Sequence, residues 1–337
     1  MAADAKPADV VDLAIVGGGP TGLFAAFYAG LRHMSVKIID SLESLGGQLV
    51  TLYPEKYIYD VPGFRKILAK ELVKSMVEQA FQFNPTVVLG ERVLSIRKVD
   101  GGIFQLDTDK ARSHYSKTVL VTAGVGAFSP NKLDAPGVAE HEGKGIFYFV
   151  KDKQLFKDKR LLIVGGGDSA VDWALNFNNW AKKVTLVHRR DVFRAHEGSV
   201  AELMKCGAEI KLFYEVKQVS GDGKWVKRAV IYDNRTKEET TIDVDSILVN
   251  IGFRADLGPI RNWGLEIRGR EIKTNGRMET NIPGVYVAGD LAGQVDSVKL
   301  NLIATGYAQA AMAVNVAKNF IDPTAKIFPG HSSEMKM

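Results

Sequence analysis

Apolar residues in this chain gather into short runs, each stopped by a turn. Val10–Val16 (VVDLAIV) is rich in β-branched residues and ends at Gly17-Gly18-Gly19. Such a run predicts a strand of a parallel sheet. When both faces are covered, no polar alternation is needed. A helix is predicted over Thr21–Arg32, and SVKIID is a second strand ending in Asp40. The same succession recurs later: a strand over Leu161–Val164, Gly165-Gly166-Gly167, a helix over Ser169–Phe177, and the strand KVTLVHRR. Helical spacing of apolar residues runs from Ile67 to Phe81, and Val87–Leu106 reads as strands broken by a DGG turn. KTVLVTAG (Lys117–Gly124) is another buried strand. IPGVYVAGDLAG places one directly before Gly289-Asp290, with a helix over Asn301–Asn319. Two strand–helix–strand units in one chain predict an α/β fold with two Rossmann-like dinucleotide-binding domains.

The stops between strand and helix carry the chemistry. Gly17, Gly19 and Gly22 form GxGxxG. The first allows the tight turn, the second lets a pyrophosphate approach the backbone, and the third lets helix pack on strand. Thr21 opens the helix whose amino end points partial positive charge at the phosphates. Asp40, at the end of the next strand, is placed to accept hydrogen bonds from both ribose hydroxyls of an adenosine. The second copy, with Gly165, Gly167 and Ser169, is a GxGxxA variant. At the position matching Asp40 stands His188, followed by Arg189 and Arg190, with Arg194 near enough to close the same pocket. A carboxylate repels a 2′-phosphate, whereas guanidinium groups bind one bidentately. The simplest assignment is FAD in the first pocket and NADPH in the second.

Other stretches suit a flavin. In SLGGQL the amide of Gln48 follows a Gly-Gly turn and can lie along a ligand. TLYPEKYIYDVPG carries Tyr53, Tyr57 and Tyr59, any of which is a candidate to stack on an isoalloxazine. Asp290 lies where α/β sheets bind ligands and is a candidate partner for a ribityl chain. AFSPNKLDAPG and DSILVNIGFRAD read as two crossings between domains. The expected FAD domain is therefore discontinuous, residues 1–124 plus 254–337, with an NADPH domain, residues 125–253, inserted in it.

Composition narrows the picture. The chain has 337 residues, 46% hydrophobic and 25% charged, as in ordinary globular proteins. No apolar run has the length of a membrane span and no secretory signal is seen, so a cytoplasmic protein without a membrane partner is expected. The formal charge of +5 is spread over clusters such as HRRDVFR and KDKQLFKDKR. These are either a solvated surface or a basic face that steers an acidic partner. No basic helix or aromatic–basic motif points to nucleic acid, and no metal site is expected. The single cysteine, Cys206, excludes an intrachain disulfide.

The ordered set GGGPTG, GGQL, TAG, GGGDSA, HRRDVFRAHE, IGFRAD and VAGD resembles the thioredoxin reductase-like branch of two-dinucleotide-domain flavoproteins, over nearly the whole chain. Within it, LYPEKYIYDVPGF, GGGDSAVDWAL and the tail FPGHSS look like the ferredoxin/flavodoxin–NADP reductases of bacteria. Thioredoxin reductases need a CxxC pair before the second fingerprint strand, and glutathione reductase relatives need a pair after the first Gly-Gly turn. Both regions lack cysteine here, and Cys206, in ELMKCGAEI, reads as a packed thiol. Electrons must then leave the flavin for an external acceptor. The resemblance implies a homodimer, with ferredoxin or flavodoxin as the acidic partner. It implies that Tyr53 stacks on one flavin face, that His331 covers the other from the partner subunit's tail, and that Val93, Phe128 and Ser333 touch the FAD. By sequence alone His331 would pass for an inconsequential tail residue.

Other readings stay open. One is an NADPH diaphorase or flavin reductase acting on quinones, ferric chelates or oxygen. Another is a non-catalytic NADPH-sensing flavoprotein, which would turn over slowly with every acceptor. An RNA-modifying FAD protein would need a nucleic-acid surface that the sequence does not display.

Overall fold

A computed structural model describes residues 9–124, 126–295 and 298–331, and the side chains at 127–129 and 255 lie outside that description. The chain divides into two units, Met1–Ala127 with Ala255–Met337, and Phe128–Arg254. Among the described residues no helix is long and apolar enough to cross a membrane.

The first unit is built on Val10–Val16. It pairs in parallel with Val36–Ile39 on one side and Ser113–Val121 on the other. Thr86–Val88 extends one edge, and Val285–Val287 pairs in parallel with Ser113–Val121. Phe104–Thr108 and Val93–Lys98 continue the sheet antiparallel. Strand alternation sends Leu13 and Ile15 to one core and Ala14 and Val16 to another. The first core is closed by the helices Pro20–Leu31, Ala69–Ala80 and Ile303–Ile321. The second is closed by Leu257, Ile260, Trp263 and Ile272 from the returning chain. Burial on both faces is why Leu13–Val16 and Val119–Val121 read as unbroken apolar runs.

The helix expected from Ile67 starts at Ala69, because Ile67 and Leu68 pair with Tyr57 and Ile58 as a small hairpin. From there Ala69, Leu72, Val73, Met76 and Ala80 form one buried face at helical spacing. The strand expected from Lys117 begins at Ser113, since its polar first half carries the antiparallel pairing.

The second unit has a five-stranded parallel sheet in the order Ile146–Phe147, Ser246–Asn250, Arg160–Gly165, Lys183–His188, Glu209–Leu212. One face, with Leu161, Ile163, Leu186 and Leu248, packs on the helix Asp168–Phe177. The other, with Leu162, Val164, Val187, Ile247 and Val249, is covered by an antiparallel sheet of Tyr214–Gly221, Val226–Asp233 and Glu239–Asp243.

Candidate functional site

Each glycine turn sits where a parallel strand ends and a helix begins. In the first unit Gly17 has φ +111°, and a Cβ there would lie 2.6 Å from the Thr122 carbonyl oxygen. Thr122 Oγ1 donates to the Gly17 carbonyl at 2.7 Å, clamping the turn. A Cβ on Gly22 would strike that same Gly17 carbonyl. Gly19 differs. It is the helix N-cap in ordinary extended backbone, without a side-chain cap. A Cβ there would find only the Gly47 Cα, at 3.9 Å. The turn is thus closed where the chain packs on itself and open where a phosphate would approach the helix start, as a dinucleotide requires.

Asp40, one residue beyond its strand, is 7% exposed. Its Oδ2 accepts from Gly18 N–H at 2.5 Å and its Oδ1 from Leu42 N–H at 2.8 Å. Burial raises its pKa above the ordinary carboxylate value, and the backbone donors pull it back. A carboxylate offers about four acceptor positions, so Asp40 can hold the turn and still take ribose hydroxyls. The Gly-Gly turn is tied in by Gly46 N–H donating to the Gly18 carbonyl at 2.8 Å.

Further along the same sheet edge, Gln48 opens the short helix Gln48–Thr51 and its amide hydrogen-bonds Asp290. Burial raises the Asp290 pKa, while Lys299 and Gln48 lower it. Tyr53 feels both burial and the Asp290 charge, which push its pKa up to about 12. Gln48, Tyr53 and Asp290 are therefore neighbours. Of the three candidate tyrosines, Tyr57 and Tyr59 are exposed, at 45% and 68%, and only Tyr53 is half-buried. Thr21 packs where a Cβ on Gly289 would sit, 2.8 Å from its Oγ1, and Gly289 N–H donates to Gln309 Oε1 at 2.8 Å.

Val93 is buried in the core. Glu91 N–H donates to the Asp40 carbonyl at 3.0 Å, which brings that segment beside Asp40. His331 is exposed, its ring edge-on to Phe328 at 5.5 Å between centroids. The buried Arg32 guanidinium donates to Asn315 Oδ1 at 2.9 Å and to the Lys326 carbonyl at 2.8 Å, anchoring the segment that leads to His331. Ser333 and the Phe128 side chain lie outside the described residues.

In the second unit, Gly165 lies against the Asn250 carbonyl, and Gly167, the helix N-cap, has nothing within 4 Å of a Cβ position. The loop after His188 is pinned at four points. Asn234 Nδ2 donates to the Arg189 carbonyl at 2.9 Å, and His188 Nε2 lies 3.0 Å from the Val192 carbonyl. Arg194 N–H donates to the Gly166 carbonyl at 2.7 Å, and His196 N–H to Asp168 Oδ1 at 2.9 Å. Arg189, Arg190 and Arg194 are exposed, and among the described residues no carboxylate pairs with them. Asp168, Arg194, Ala195, His196 and Glu197 line an open groove of about 500 Å3, and half-buried Ser169 is the next residue of the helix start.

His188 is 8% exposed, fills the space under Gly166 and stacks on Phe193. It supports the turn, in contrast with the exposed arginines it precedes. Burial, then the charges of Arg190, Arg189 and Arg194, hold its pKa below the ordinary 6.5. The ring is thus neutral, with Nε2–H donating to Val192. As pH falls below about 6.5 the unfolded chain takes up this proton first, so stability is lost in that window. Thermal midpoints at pH 8 and pH 5.5 check this: the acid drop should be smaller in His188→Gln than in the wild type.

Cys206 is half-buried against the second unit's core, with its Sγ donating to the Leu203 carbonyl at 3.0 Å. Sequence reasoning missed Thr122, Gln309, Asn234 and Asn250, which act on the turns from distant strands, helices and loops. Asn250 and Thr122 had a local signal, each a polar residue ending an apolar run, SILVN and TVLVT.

Residues 11–317 match the family described as pyridine nucleotide-disulphide oxidoreductase. The chain is 53% identical over 324 residues to the ferredoxin–NADP reductase of Sulfurisphaera tokodaii, covering 96% of this chain and 97% of that one. It is 51% identical over 331 residues to the ferredoxin–NADP reductase of Symbiobacterium thermophilum, covering 97% and 98%. Among solved structures, the T. acidophilum thioredoxin reductase aligns with TM-score 0.77 at 28% identity over 93% of this chain and 98% of that one. The Lactococcus lactis thioredoxin reductase aligns with TM-score 0.76 at 26% identity over 92% and 99%.

Proposed function

The chain belongs to the pyridine nucleotide-disulphide oxidoreductase family, and we propose from that premise that it is a ferredoxin–NADP reductase. It binds FAD in the first site and NADPH in the second. The balanced reaction is NADPH + 2 oxidised ferredoxin → NADP+ + 2 reduced ferredoxin + H+. Flavodoxin is the alternative carrier.

The observation that carries this reading is the contrast between the two sites. A buried carboxylate, Asp40, stands at the first, and just after the matching position in the second stand three exposed guanidinium groups that no carboxylate pairs among the described residues. The first suits a dinucleotide without a 2′-phosphate and the second one that has it. The bound flavin supplies the conversion between a hydride and single electrons. The protein's part is to bind, orient and exclude water. Gly19 and the helix Pro20–Leu31 receive the pyrophosphate, and Asp40 the adenosine ribose. Gln48 and Asp290 meet the ribityl chain, with Val93 and Phe128 as further contacts. Tyr53 covers one flavin face. His331 and Ser333 close the other, from the tail of a second copy in a homodimer. A lone cysteine leaves no dithiol to relay electrons, so they pass outward to an acidic carrier in the cytoplasm.

The test compares acceptors under NADPH. Ferredoxin should give a higher kcat/KM than quinones or ferric chelates, and rising salt should lower it. Faster, salt-insensitive turnover with quinones would make the protein a diaphorase, and slow turnover with every acceptor would make it a sensor.

A further inference from the structure

Asn250 ends the strand Ser246–Asn250, in register with Gly165 of the second glycine turn. The three residues before it, Ile247, Leu248 and Val249, are fully buried hydrophobics. Strand alternation places Asn250 on the face of Leu248. That is the face where Leu248 packs with Ala170, Val171 and Ala174 of the helix Asp168–Phe177. The amide therefore lies under the start of that helix, at the carboxyl edge of a parallel sheet, where α/β folds take their ligands. Asn250 is 9% exposed, and its Oδ1 is buried with no hydrogen-bond partner among the described residues. The helix start beside it has no side-chain cap, and Gly167 faces open space.

An unpaired amide oxygen in such a place is costly to folding. An apolar residue would continue the strand pattern without that cost. We infer that Asn250 is a nucleotide-contacting residue, its amide accepting a hydrogen bond from a hydroxyl or carboxamide N–H of bound pyridine nucleotide. This rests on the reading of the second site as the NADPH site, and it adds a function distinct from that of the arginines. Arg189, Arg190 and Arg194 select for the 2′-phosphate, whereas Asn250 recognises a group that NADPH and NADH share.

The test is calorimetric titration of the flavin-loaded full chain with NADP+, in the wild type, Asn250→Leu and Asn250→Ala, beside the unfolding midpoint without nucleotide. The inference expects the Kd for NADP+ to rise about ten-fold in both variants, equivalent to about 1.4 kcal/mol. The midpoint should stay level or rise, and kcat/KM should fall by the same factor for NADPH and NADH. An unchanged Kd would overturn it. So would a weakened Kd accompanied by a lower midpoint, which would make Asn250 a prop for the turn. Failure of the wild type to bind NADP+ would instead strike down the premise, and the same titration reads it.

Discussion

Gly19→Val is expected to give a folded but colourless protein. The N-cap backbone at Gly19, φ −73° and ψ −175°, is one that valine adopts freely. The nearest atom to a Cβ there is 3.9 Å away. The fold therefore has room for a Cβ, and what the added side chain obstructs is the approach of a pyrophosphate to the helix start. Flavin affinity should fall more than about 100-fold, equivalent to about 2.7 kcal/mol. Circular dichroism should be unchanged and the yellow absorbance lost. Gly167→Val is the counterpart in the second site, where nothing lies within 4 Å. It should stay yellow and fail to be reduced by NADPH. A colourless Gly167→Val protein, or a yellow Gly19→Val protein, would reverse the assignment of the two sites.

The second large effect is on coenzyme choice. Arg189 and Arg190 are exposed, and the Asn234 amide holds the backbone of the first. A hydrogen bond to a charged group contributes about 1.5–3 kcal/mol. Solvent exposure argues for the low end, so two arginines together contribute about 3 kcal/mol. The double variant Arg189→Ala, Arg190→Ala should therefore lose about 100-fold in kcat/KM for NADPH and change little for NADH. Steady-state kinetics with both donors measures the ratio. An equal loss for both would place the 2′-phosphate elsewhere.

Much of this was legible in the residues because the determinants are local. Leu13–Val16 and Leu161–Val164 are buried on both faces, which writes an unbroken apolar run into the sequence. The glycine spacing follows from the contacts each position makes, and the Asp40/Arg189 contrast needs only the count of residues past the turn. What was not legible depends on partners far along the chain. The spacing put His188 with the arginines, but the last residue of the strand turns inward under Gly166 while Arg189 and Arg190 stay outside. Ile67 and Leu68 carry apolar periodicity into a hairpin that only Tyr57 and Ile58 explain. In Val226–Asp233, VKRAVIYD, Val226, Ala229 and Ile231 face the core of the antiparallel layer. An extra residue in this strand, Lys227, between the pairs Ser220–Arg228 and Gly221–Val226, spoils the period-two signal.

On the proposed function, electrons enter from NADPH at one site and leave from the flavin at the other to a ferredoxin. The most direct test is a single turnover. The flavoprotein is reduced anaerobically with one equivalent of NADPH and mixed with oxidised ferredoxin while flavin absorbance is followed. The yellow colour should return rapidly, with two ferredoxins reduced per flavin and a rate that falls as salt is added. A flavin that stays reduced in the presence of ferredoxin, yet reoxidises at once with a quinone, would contradict it.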